Sequence, residues 1–161
     1  MTAPARETPP RVLELIALYR RTHYGVVLPD ASQATLRVGE AAPPAVVEWI
    51  GAAGFAIYLT ACNPCSMALT HEQNDERLTQ LRQRLRADGA RWLEGRAGIP
   101  GEPWCEPSLL VAGVSLAHGD ALADRFEQNA TVVVDAASPV RLRIRREDWR
   151  VHLDATPYIV H

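Results

Sequence analysis

The 161-residue chain predicts a single α+β domain built on an antiparallel sheet. Three observations support this. The length and a hydrophobic content of 47% are enough to bury a core without help from disulfides or metal. Between residues 55 and 135, apolar runs of strand length alternate with stretches of helical period. Two of those runs, over 91–97 and 108–114, are joined as a hairpin by a short connection that contains the loop Gly98-Ile-Pro-Gly-Glu-Pro103.

The elements follow in order. Residues 1–8 read as a disordered tail. Pro9 and Pro10 stand where a helix can start, and Leu13, Ile16, Leu18 and Tyr19 give residues 12–21 an apolar helical face. Residues 24–28 and 35–38 read as short strands around the turn Pro29-Asp30-Ala31-Ser32. Pro43 and Pro44 open a second helix that runs to Ile50 and ends at Gly51 or Gly54. The near-continuous apolar run 55–61 is that of a central strand buried on both faces, stopped by Asn63-Pro64. Thr70-His-Glu-Gln73 is a capping box for a helix reaching about Asp88, with Gly89 as its stop and Leu78, Leu81 and Leu85 as its stripe. After the hairpin come a helix over 116–126 and a strand over 131–135. Val140, Leu142 and Ile144 then alternate with Arg141, Arg143 and Arg145, a period of two with one solvated face. The order β-α-β-β-α-β from 55 to 135 is the ferredoxin-like pattern, an antiparallel sheet with helices on one face. An N-terminal helix and strand extension and a C-terminal Arg-rich strand extend or flank it. The expected organisation is one domain over 9–146 with a C-terminal extension over 147–161.

Composition narrows the chemistry. A net charge of −2 argues against a nucleic-acid or membrane-surface binder. Every basic residue is Arg, so lysine Schiff-base chemistry and a phosphate-binding P-loop are excluded. Residues 1–10 contain no apolar signal core, and the uncharged stretch 49–70 is broken by Gly51, Gly54, Asn63 and Pro64. A cytoplasmic protein without a membrane partner is expected. The three cysteines do not make a disulfide framework. His71 and Asp75 share a helix face as solvated surface, and a lone C-x-x-C does not complete a zinc set. Neither a metal nor a cofactor is expected.

The topology brings three connections to one end of the sheet: 63–66, 98–106 and 127–129. A pocket there would be lined by Asn63, Ser66, Trp104, Glu106, Gln128 and Asn129, and would suit a small polar or anionic ligand. Asn74 lies four, seven and eleven residues before Leu78, Leu81 and Leu85, so it continues their buried stripe into the first helical turn. A buried amide left unpaired costs about 1–3 kcal/mol. Its partner is either the Asn63 turn or a carboxylate or phosphate held at the helix N-terminus. Glu106, beside Trp104, is the candidate general acid or base, with pairing to an Arg as the structural alternative.

Thr60-Ala-x-Asn-Pro-x-Ser66, Asn74, Trp104-x-Glu-Pro-Ser108, Gly113 and Phe126-x-Gln-Asn-Ala130 together resemble an uncharacterised bacterial family, catalogued as domain of unknown function 3293. The resemblance spans roughly residues 19–134. It implies family polar positions at Thr60, Asn63, Ser66, Asn74, Trp104, Glu106, Gln128 and Asn129, adding Thr60 to the pocket set. In that family an aromatic residue usually precedes Asn-Pro, where this chain has Cys62, and a glycine usually precedes the Gln, where it has Glu127.

Two other classes of function compete. Cys62-Asn-Pro-Cys65 follows a strand and precedes a helix, the setting of a thiol-disulfide redox pair, although the capping box starts that helix five residues late. Arg141, Arg143, Arg145, Arg146 and Arg150 would suit a non-catalytic interaction module with an anionic partner. The strands carry no aromatic pair of the kind that stacks RNA bases.

Overall fold

In chain order the elements are α1 (Pro9–Arg21), β1 (His23–Val27), β2 (Gln33–Leu36), α2 (Pro44–Ile50), β3 (Phe55–Leu59), α3 (His71–Ala87), β4 (Arg91–Gly98), β5 (Cys105–Ala112), α4 (Leu116–Arg125), β6 (Ala130–Asp135), β7 (Arg141–Ile144) and β8 (Ile159–Val160). The computed structural model describes residues 9–153 and 158–160; the tail expected over 1–8 lies outside them. All eight strands form one curled sheet in the order β2-β1-β4-β5-β3-β6-β7-β8. Every neighbouring pair is antiparallel except β7 with β8.

Both faces of the sheet are covered, which the sequence alone does not show. Ile57 and Leu59 of β3 and Leu109 and Val111 of β5 pack with Leu78, Leu81 and Leu85 of α3 and Leu122 of α4. The alternate residues Ala56, Tyr58, Leu110 and Ala112 face a second core that takes in Val12, Leu15 and Ile16 of α1, Val46 and Ile50 of α2, and Trp149. Helices therefore sit on both sides, because the flanking N-terminal segments close the face that α3 and α4 leave bare. The buried stripe of α1 is Val12-Leu15-Ile16, whereas Leu13, assigned to that face from the pattern, is half exposed. Ile16, Leu18 and Tyr19 do pack on that core, so the predicted face holds except at Leu13, with Val12 and Leu15 completing it.

The C-terminal segment contributes directly to this second core. Residues Glu147–His152 form a 3-10 helix whose Trp149 is fully buried and stacks near Tyr19 of α1, with ring centroids 6.4 Å apart. β8 then adds to β7 in parallel. The arginines of β7 and its end are half-buried rather than solvated. Arg143 and Arg145 pair with Asp120 and Asp124 on α4, Arg141 with Asp135, and Arg146 with Asp148. The basic stripe is thus largely neutralised within the fold.

Strand β5 begins three residues earlier than its apolar run suggests. Pro107 reads as a breaker, yet it lies inside β5 opposite Arg96 of β4. It is tolerated because β3, the neighbour on the other side, pairs only as far as Leu59 opposite Leu109. Beyond that point the β3–β5 ladder ends, and Glu106 and Ser108 line the space that opens there. A close approach marks the other side of the sheet: a Cβ on Gly95 would lie 2.1 Å from the Gly25 carbonyl oxygen, which also accepts from the Tyr58 hydroxyl at 2.9 Å. Gly95→Ala is expected to destabilise by about 1–3 kcal/mol, since backbone rather than a side-chain tip must move. Urea unfolding measures it, and a neutral result would contradict the packing of β1 on β4. Among the described residues no helix is long and apolar enough to cross a membrane.

Candidate functional site

The gap between β3 and β5 is the mouth of a cavity of about 320 Å³, at the low end of small-molecule sites. It runs from the loop end of the sheet inward beneath α1. The rim is Thr60, Asn63, Ser66, Trp104, Glu106, Gln128 and Asn129. The inner wall is Leu15, Leu18 and Tyr19 of α1 and Thr22 just after it, over Tyr24, Tyr58, Ala97, Ser108, Val132 and Leu142 of the sheet. Seven of the eight sequence-derived site residues therefore share one wall. The eighth, Asn74, stands behind Asn63.

The polar rim residues hold one another and the backbone in place. Asn63 has a left-handed backbone at φ 46°. Its Nδ2 donates to Glu106 Oε2 at 2.7 Å, and its Oδ1 accepts from the Leu69 amide and from Asn74 Nδ2. Asn74 Oδ1 in turn accepts from the Asn63 amide at 2.9 Å, so the Asn74 carboxamide clamps Asn63 with both its atoms. At the N-terminus of α3 the capping box engages the Gln73 amide through Thr70 Oγ1 and the Thr70 amide through Gln73 Oε1. Thr60 Oγ1 donates to the Pro107 carbonyl at 2.7 Å and accepts from the Cys62 amide, bridging the strands where the sheet has parted. Gln128 donates to the Cys62 carbonyl, and Asn129 donates to the hydroxyls of Tyr19 and Ser66. Trp104 is exposed at the edge of the mouth.

Two turns are locked together by strained backbone. Cys65, Ser66 and Glu127 also have positive φ, and the Cys65 amide donates to the Glu127 carbonyl at 2.7 Å. Non-glycine residues in this region are costly and persist where surrounding structure holds them. The φ of 56° at Glu127 accounts for the glycine expected there from the family resemblance. Glu127→Gly is expected to be neutral or to stabilise by up to about 1 kcal/mol, with only the 3.6 Å pair to Arg77 lost. A clear loss of melting temperature would argue against strain at this turn.

Sequence reasoning missed Arg77 and the roof. Arg77 ties the two turns from beneath, donating to the carbonyls of Ala61 and Phe126 at 2.6 Å each. Nothing in its helical spacing distinguishes it from the solvated arginines of α3. Tyr19 stood in the pattern as an apolar helix residue, and only the packing of α1 across the sheet turns it toward the rim.

The electrostatics centre on Glu106. Burial pushes its carboxyl up to about 7, against the opposing pull of the Asn63 hydrogen bond. Among the described residues no Arg or His forms an ion pair with it. Burial also raises the Cys62 thiol above its ordinary value, more than the Thr60 hydrogen bond lowers it. A reactive thiol needs the opposite shift. His71 and Asp75 pair at 3.3 Å on an exposed face. Among the described residues no three His, Cys, Asp or Glu side chains gather as a metal site.

Fold and site together define an α+β domain with a half-open, polar-rimmed cavity of small-molecule size. A family model described as a protein of unknown function (DUF3293) matches residues 59–131, so the chain is similar to that family from the end of β3 to the start of β6. All eight motif residues fall within this segment, which is narrower than the span expected from the motifs. No curated protein and no solved structure matches the chain.

Proposed function

We propose that the chain binds a small polar molecule with an apolar body in this cavity, and that Glu106 exchanges a proton with it. The observation behind this reading is the cavity itself, in which three convergent loops supply hydrogen-bonding groups around one half-buried carboxyl and α1 covers an apolar interior behind them. A carboxyl that titrates near neutral pH is matched to proton transfer under ordinary conditions. Of the polar and anionic ligands expected from sequence, the polar class is favoured, since a carboxylate at the rim opposes an anion and the α3 terminus is already capped. The raised Cys62 thiol favours this reading over redox exchange. The paired arginines of β7 favour it over an anionic macromolecular partner. As to fold, the order β4-β5-β3-β6 with antiparallel neighbours, and α3 and α4 on one face, supports a ferredoxin-like core over 55–135.

A thermal-shift screen of small polar metabolites tests the proposal. A ligand at 100 times its Kd stabilises by about 2.7 kcal/mol, a rise of roughly 5–10 °C for a chain of this size. Ala68, exposed at the mouth, provides the control: Ala68→Trp should plug the entrance and abolish the shift. Shifts that survive this substitution would place binding elsewhere, and the cavity reading would fall.

A further inference from the structure

We infer that the occupant of the cavity is an organic cation, an ammonium or amidinium on an apolar or aromatic body, with Glu106 as its counter-ion and aromatic rings as its walls. This rests on the cavity reading above and adds the sign of the charge.

The lining is the first support. Three of the chain's four tyrosines, Tyr19, Tyr24 and Tyr58, line this one cavity together with Trp104. Tyr24 meets Tyr58 edge to face, with centroids 5.3 Å apart. The hydroxyls of Tyr24 and Tyr58 donate to the backbone carbonyls of Tyr19 and Gly25 at 2.6 and 2.9 Å, so their protons are committed within the protein. What these residues offer a ligand is ring surface, which attracts cations and repels anions.

The charge balance is the second. Glu102, Glu106 and Arg11 are the charged residues lining the cavity, and Arg11 is exposed with Glu14 3.9 Å away. A half-buried carboxylate whose partner among the described residues is a neutral amide is under-compensated, and a bound cation corrects this. The other groups around Glu106 leave that role open. Tyr24 on β1 and Tyr58 on β3 are raised by burial and stay neutral, as does the Cys62 thiol after β3. Arg96 on β4 hydrogen-bonds to Cys105 Sγ at 3.2 Å.

Calorimetry of the full chain with 2-phenylethylammonium, 2-phenylethanol and phenylacetate at pH 6 and pH 8 tests the inference. The ammonium should bind tightest. Its affinity should rise about tenfold from pH 6 to pH 8, because a carboxyl titrating at about 7 goes from about one-tenth to about nine-tenths ionised. Glu106→Gln should weaken the ammonium about tenfold or more at pH 8 and flatten the pH dependence. Tighter binding of the alcohol or of phenylacetate overturns the cation while leaving a ligand cavity. No heat from the ammonium at millimolar concentration, or an affinity that falls as pH rises, overturns it as well. The wild-type pH comparison stands even if the variant folds poorly, and the Ala68→Trp screen decides separately whether the cavity binds anything.

Discussion

At pH 8, Glu106→Gln is expected to make the unliganded protein more stable, by about 2–3 kcal/mol, and at pH 4 to leave it almost unchanged. In the unfolded chain the carboxyl loses its proton near its ordinary 4.5, whereas the folded protein holds it to about 7. Between those values the native state binds more protons than the unfolded state, so stability falls as pH rises through the window and stays reduced above it. A shift of this size corresponds to about 3 kcal/mol, and partial solvent access at the cavity mouth reduces it somewhat. Glutamine has no proton to lose and still accepts from Asn63 through its carbonyl oxygen, so the penalty disappears while the hydrogen bond survives. Urea titrations of both proteins at the two pH values measure this. An equal difference at both would mean that Glu106 titrates normally. A residue that costs stability where it stands is one whose retention needs a reason other than folding.

Trp149→Ala is expected to have the largest effect on the fold, a loss of about 3–5 kcal/mol. The ring is fully buried in the core beneath α1, stacks near Tyr19, and lies under the Arg146 guanidinium at 5.5 Å. Its removal empties a space between α1 and the 3-10 segment that a small residue cannot fill. For a chain of this length the melting temperature should fall by roughly 10 °C. Cavity binding should weaken at the same time, because Tyr19 holds both the ring stack and the hydrogen bond from Asn129. A loss below about 1 kcal/mol would show that residues after 146 are an appendage, as the sequence suggested, instead of part of the core.

The strands and helices with strong local signals could be located from the sequence. The unbroken apolar run of β3 and the Thr70 to Gln73 box of α3 announce themselves because each is a local pattern with one physical meaning. The start of β5 was obscured by Pro107, whose tolerance depends on β3 having ended two residues before the opposing position, a fact of register and not of composition. The polar rim was legible because hydrogen-bonding side chains concentrate in three loops whose common end follows from topology. The roof was not legible as part of the site: the pattern puts Leu18 and Tyr19 on the apolar face of α1, and what that face covers is decided by packing. Asn74 was legible as an inward-facing amide with two candidate partners; it is half-buried, and only geometry assigns it to Asn63. The arginines of β7 and its end showed a period of two, while the aspartates that Arg143 and Arg145 meet on α4 lie some twenty residues away along the chain.

The family segment and the cavity do not coincide. Residues 59–131 contain every rim residue, yet Leu15, Leu18, Tyr19, Thr22 and Tyr24 come from before it and Leu142 from after it. The groups that would recognise a ligand's polar head and those that would measure its apolar body are therefore encoded in separate stretches of chain. Chains sharing the same middle segment could hold the same head group while accepting bodies of different size, simply by redrawing one short helix.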